Sequence, residues 1–237
     1  MKISEHKKGV WAAIIAAATF GMMPLLSKLV MDNGFSVNTI VTYRYATAAI
    51  ILFFMMLYKK ASFKISGKQL LELCVLSVCY PSVTSLLMIS YDYLSTGIST
   101  SIHFLYPIPV AFMMAFFFKE KVTIKIIIGI LISACGVLLL GFNEDYELNP
   151  VGILIVLAAV LIYSIYLVMI SQLSVRKLTG LSFSFYVLSI ASIYSFIFGT
   201  IQGDLQFMND SISLILVFML SLVSTVISNI ALVESVK

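Results

Sequence analysis

Charge is what this chain has least of. Asp, Glu, Lys and Arg make up only 11% of its 237 residues, against 61% hydrophobic ones. A water-soluble domain of that length needs far more charge to cover its surface, so an ordinary soluble fold is excluded. Cysteine is scarce too. Cys74, Cys79 and Cys135 all sit inside apolar runs and lack metal-ligand spacing. They read as small packing residues, neither disulfide partners nor metal ligands, and no cofactor is expected. With two histidines in the chain there is no metal-type His spacing. Paired carboxylates and a Gly-x-Ser-x-Gly elbow are lacking as well, so an enzyme is not expected. Nor is a cleavable leader expected: the first apolar run, 9–31, is too long, carries no cleavage motif and should remain as the first transmembrane helix.

What is there is a series of hydrophobic runs of about 20 residues, the length that spans a hydrocarbon core of roughly 30 Å as a helix. Lipid offers backbone amides no partners, so only helices or closed barrels can cross it. Runs such as Ile126 to Leu140 lack the period-two alternation of a barrel strand. The expected fold is an all-α polytopic membrane protein with helices at 9–31, 37–58, 69–90, 97–118, 123–141, 151–171, 182–201 and 212–233.

The few charges are ordered. Of the 15 lysines and arginines, all but Lys28 and Arg44 fall in alternate gaps: Lys2, Lys7 and Lys8; Lys59, Lys60, Lys64 and Lys68; Lys119, Lys121 and Lys125; Arg176 and Lys177; Lys237. The intervening gaps hold Asp32; Asp92; Glu144, Asp145 and Glu147; Asp204 and Asp210. Cations are retained on the cytoplasmic face of a membrane, which puts both termini inside a multi-pass protein of the cell (plasma) membrane. The net charge of +4 is then topogenic, facing anionic lipid headgroups, and nucleic acid is not an expected partner.

The acidic gap 142–150 ends in Pro150 and divides the chain into a first repeat, 1–141, and a second, 150–237. Gly9-Val-Trp11 finds a weak echo in Val151-Gly152-Ile153. The hydroxyl-rich end of helix three (Ser82, Thr84, Ser85, Ser90) finds one in helix eight (Ser224, Thr225, Ser228, Asn229). Helix one starts inside and helix six outside, so a second copy of a five-helix unit is inverted, a common plan of secondary transporters. Five helices precede the boundary and three follow it.

Pro107 and Pro109 interrupt helix four near mid-membrane and free backbone carbonyls, which need protein or a water-filled cavity beside them. A flexible, cavity-lining helix competes here with a static kink absorbed by packing. Pro24 and Pro81 are weaker instances. Lys28, Arg44 and His103 lie inside helices, where a charge is disfavoured by about 3 kcal/mol or more and marks a candidate site. Together they offer an electropositive vestibule for a carboxylate or phosphate. The competing roles are snorkelling for Lys28, a bond to helix-end carbonyls or Asp32 for Arg44, and a plain polar contact for His103. No carboxylate lies deep in the bundle to couple protons, which leaves His103 as the candidate of that kind. Tyr80, Tyr106, Tyr163, Tyr166, Ser224 and Thr225 bring hydrogen-bonding groups to mid-membrane, and Tyr106 beside the break is the leading solute contact. Gly129, Ser133 and Gly136 share a face of helix five and permit close packing, within the chain or across a homodimer.

Phe20-Gly21, Pro24 and Lys28 in helix one, Arg44 in helix two, Tyr106-Pro107-Ile-Pro-Val110 leading to Glu120, and Gly129 through Gly136 in helix five occur in an order that resembles the EamA branch of the drug/metabolite transporter superfamily. The resemblance implies ten helices in two inverted five-helix repeats, and transport of small metabolites without a cofactor. This chain departs from it in having Phe20 where tryptophan is usual, and in stopping where helices nine and ten would begin. The expected function is a secondary transporter of a small organic metabolite or drug-like solute, working by alternating access in the lipid bilayer. The second expectation is a truncated, non-transporting remnant, or a subunit that completes its cavity with another chain.

Overall fold

The structure, a computed structural model, describes residues 2–120, 123, 124, 127–129, 131, 132, 135 and 149–236. Of the described residues 83% are helical, and none lies in a strand. Seven helical stretches among the described residues are long and apolar enough to cross a membrane. The helix expected at 123–141 lies largely outside the described residues, as do Ser133, Gly136 and the acidic residues Glu144, Asp145 and Glu147.

Local chemistry sets the helix ends. The first span is α1 (Lys2–Gly21) followed by α2 (Met23–Asp32), with Pro24 in the first turn of α2, where a missing N–H leaves no bond unmade. Helix α3 (Val37–Tyr58) begins at Ser36, whose hydroxyl accepts from the Thr39 amide at 3.1 Å. Helix α4 (Gly67–Ser90) continues through Pro81. The fourth span is two helices, α5 (Thr96–His103) and α6 (Pro107–Phe118), and the latter stops at Lys119 in the left-handed region. After α7 (Pro150–Gln172) a short 3₁₀ turn, Ser174–Lys177, leads to α8 (Gly180–Gln202). That helix starts two residues ahead of the expected 182 because the Thr179 hydroxyl caps the Ser182 amide. The last span is α9 (Ser211–Ser221), a π-helical segment Leu222–Ile227, and α10 (Ser228–Val236).

Two compact units divide the chain. The first is Met1–Pro81 with Ile170–Lys237; the second is Ser82–Met169. In the first, α3 packs along α8, α10 packs against α1 and α8, and α9 packs against α2 and α3. Tyr45, Ala48 and Leu52 of α3 are buried, as are Val187, Leu188 and Ala191 of α8. Phe53, Phe54, Phe196 and Ile197 point outward, while Arg44, Ser184 and Ser224 are enclosed. Apolar surface outside and polar groups inside is the distribution a lipid-facing bundle requires. One end of this unit is tied by polar bonds between the α2–α3 turn and the α8–α9 loop. There Asn38 Nδ2 donates to both carboxylate oxygens of Asp204, at 3.1 and 2.9 Å, and the Ser36 amide donates to Gln206 at 2.8 Å.

In the second unit, α7 approaches the segment after α4 through Gly152. A Cβ there would meet Tyr93 Cβ and Leu94 Cγ, both at 2.7 Å, so the contact demands glycine. The three cysteines are free, as expected, but Cys74 and Cys135 are exposed and not packed inside.

Candidate functional site

Two clusters gather most of the expected site residues, one in each unit.

The first is built on Arg44. Its side chain is fully buried, yet the ion pair found among the described residues is a different one, Lys28 with Asp32 at 3.2 Å. Arg44 Nε donates to Thr225 Oγ1 at 2.5 Å and Nη2 to the Ser224 carbonyl at 3.3 Å, both on the π segment. Its guanidinium carbon stands 5.5 Å from the centroid of the Tyr45 ring, which in turn lies 5.6 Å from that of Tyr80. The Thr225 hydroxyl spends its hydrogen on the Leu220 carbonyl, five residues back at 3.1 Å, and so faces the guanidinium as an acceptor. Ser221 lies within 2.9 Å of the Arg44 carbonyl and donates from its hydroxyl, fastening the backbones together. Arg44 thus bonds a hydroxyl and a carbonyl inside the last span, where helix-end carbonyls or Asp32 were the partners considered.

Both acceptors lie in the wide turn. Single π turns displace the hydrogen-bonding ladder and are frequent at functional sites. Here the Ser228 amide donates to the Thr225 carbonyl, and the Ser224 carbonyl accepts from the guanidinium.

The second cluster is aromatic. His103 is buried, with its ring 5.1 Å from that of Tyr163 and 6.0 Å from that of Tyr106. Tyr106 meets Tyr163 edge-on at 4.9 Å, and Tyr163 stacks with Tyr166 at 6.0 Å. The break before Pro107 positions these rings. Pro107 and Pro109 cannot donate to the carbonyls of His103 and Leu105, which instead accept from the amides of Tyr106 at 3.1 Å and Ile108 at 3.0 Å. Tightened turns thus satisfy two freed carbonyls. The Tyr106 carbonyl also receives the Ser164 hydroxyl at 3.1 Å.

Lys28 joins neither cluster: its side chain is 40% exposed beside Asp32. Among the described residues, nothing lies within 4 Å of where a Cβ on Gly129 would stand. Glu72, in the second turn of α4, is buried and accepts from the Ser174 hydroxyl at 2.6 Å and the Val175 amide at 3.0 Å. Tyr45, Ser164 and Ser221 escaped the sequence reading because each acts through a neighbour distant in the chain. The hydroxyl-rich run from Ser221 to Asn229 was the available signal.

Residues 7–142 match the model of the EamA-like transporter family. The chain belongs to the EamA family. Its seven apolar spans make it a multi-pass, all-α membrane protein. It is also similar to a WAT1-related protein of Arabidopsis thaliana, 29% identical over 147 residues, or 58% of this chain. The match spans 39% of that relative's length. The EamA match includes α1 to α6, and with them Arg44, His103 and Tyr106.

Proposed function

We propose that this EamA protein is a secondary transporter of a small organic solute, working by alternating access between two inverted helical repeats, 1–141 and 150–237. The observation that carries the reading is Arg44: a buried guanidinium without a carboxylate partner among the described residues, in a family of transporters. Such a charge is disfavoured by several kcal/mol inside a membrane unless function retains it. The pairing of α3 with α8, the second helix of each repeat, supports the inverted plan.

In this reading Tyr106, His103 and Tyr163 are the solute contacts of the second unit, and Arg44, Thr225 and Tyr80 those of the first. The break at Pro107 and Pro109 and the interruption at Pro24 supply flexing points. The reading places the protein in the plasma membrane with both ends cytoplasmic, the orientation that the gap charges favour.

Liposomes carrying the full chain and loaded with a mixed extract of small metabolites test this. Protein-dependent loss of at least one solute, reduced about ten-fold or more by Tyr106→Ala, is expected. Loss no faster than from protein-free liposomes overturns it, and flux restored by a co-expressed membrane partner favours the subunit reading.

A further inference from the structure

We infer that the Arg44 cluster is a binding site for an organic monocarboxylate. The inference rests on the transport reading and adds the chemical class of the solute.

The argument is an inventory of donors. A guanidinium offers five N–H groups in a planar fork. Nε is committed to Thr225 and one Nη2 hydrogen to the Ser224 carbonyl, while Nη1 has no partner among the described residues. The Nη1–Nη2 edge therefore keeps one outward hydrogen on each nitrogen, the spacing that receives both oxygens of a carboxylate. The commitments to Thr225 and Ser224 fix the plane of the fork, so the edge is held in place before anything binds.

A second unsatisfied polar group lies further along the same span. Asn229 is 1% exposed, and neither its Nδ2 nor its Oδ1 has a partner among the described residues. It follows Thr225 by four residues, about one helical turn, just past the π segment. The Ser224 hydroxyl, also buried, lacks a partner as well. Three such groups unpaired in a folded interior are costly, the charged one most of all. A carboxylate accepts from the Arg44 edge and from Asn229 Nδ2, and leaves Asn229 Oδ1 to a donor on the solute's body.

Charge decides between carboxylate and phosphate. Arg44 supplies one positive charge, and Lys28, the other cation within the apolar runs of this unit, is already paired with Asp32. A monoanion is neutralised by that single charge. A phosphate dianion would remain uncompensated where burial penalises it most.

Purified full chain is examined by thermal unfolding and titration with benzoate, lactate, benzamide, lactamide and inorganic phosphate. At least one acid should raise the melting temperature while its neutral amide does not. Arg44→Gln should abolish that effect, and Arg44→Lys, which keeps the charge but loses the fork, should weaken affinity at least ten-fold. Asn229→Leu leaves the Arg44–Thr225 bond intact and should weaken acid binding several-fold, so the inference stays testable even if the arginine variants do not fold. Equal protection by acid and amide, stronger protection by phosphate, protection by none of the five, or acid binding unchanged in these variants overturns it. Acid binding that depends on Arg44 without any flux in liposomes would sink the transport reading and leave the site. Flux of neutral solutes with no acid binding would do the reverse.

Discussion

Arg44 Nε and Thr225 Oγ1, 181 residues apart in the chain, meet at 2.5 Å in the buried interior of one helical unit. Because Thr225 turns its hydrogen toward Leu220, its oxygen is the acceptor that holds the guanidinium in place. Thr225→Val keeps the shape and deletes the acceptor. Equilibrium unfolding in detergent should show a loss of about 1.5–3 kcal/mol, the range for a hydrogen bond to a charged group, and Thr225→Ser should recover most of it.

Gly152 is the tightest approach in the second unit, with Tyr93 Cβ and Leu94 Cγ where its own Cβ would be. Tyr93 Cβ sits next to the backbone and has little room to yield. Gly152→Ala should destabilise the protein by about 1–3 kcal/mol, visible as a lower melting temperature. Gly129→Ala, in open space, should be tolerated.

Asp210 caps α9 by accepting from the amides of Ser213 at 2.8 Å and Ile212 at 3.4 Å. Hydrogen bonding to Ser213 holds its carboxyl below the ordinary value of 3.8. A depressed folded pKa means the cap's contribution is fully present above that ordinary value and is lost as pH falls through the lower folded one. Acid unfolding of Asp210→Asn should therefore show less pH dependence below 3.8 than the parent, while the two respond alike near neutrality.

Glu72 anchors the 3₁₀ turn after α7 through Ser174 and Val175. Glu72→Ala should speed amide hydrogen exchange at Val175 at least ten-fold, with α8 protected as before. Unchanged exchange would show the turn is held by other contacts.

Much of this was legible in the sequence because lipid imposes simple rules. Run length and the alternation of charge located the helices, and Pro107 with Pro109 located the break between α5 and α6. The Lys28–Asp32 pair follows from four-residue spacing on one helix. Hydropathy does not encode partner choice across the bundle. It could not tell that Arg44 would take a carbonyl in preference to Asp32, nor that His103, Tyr106 and Tyr163 would share one cluster. The π segment was equally hidden, since Ser and Thr are common in ordinary helical turns and the register shift of Leu222–Ile227 shows only in the bonding.

The most direct test of the central claim is the initial rate of solute release from liposomes holding the parent chain or Tyr106→Ala, at matched protein content. The account predicts saturable release by the parent, reduced about ten-fold or more in the variant. Equal rates for parent, variant and protein-free liposomes would contradict it.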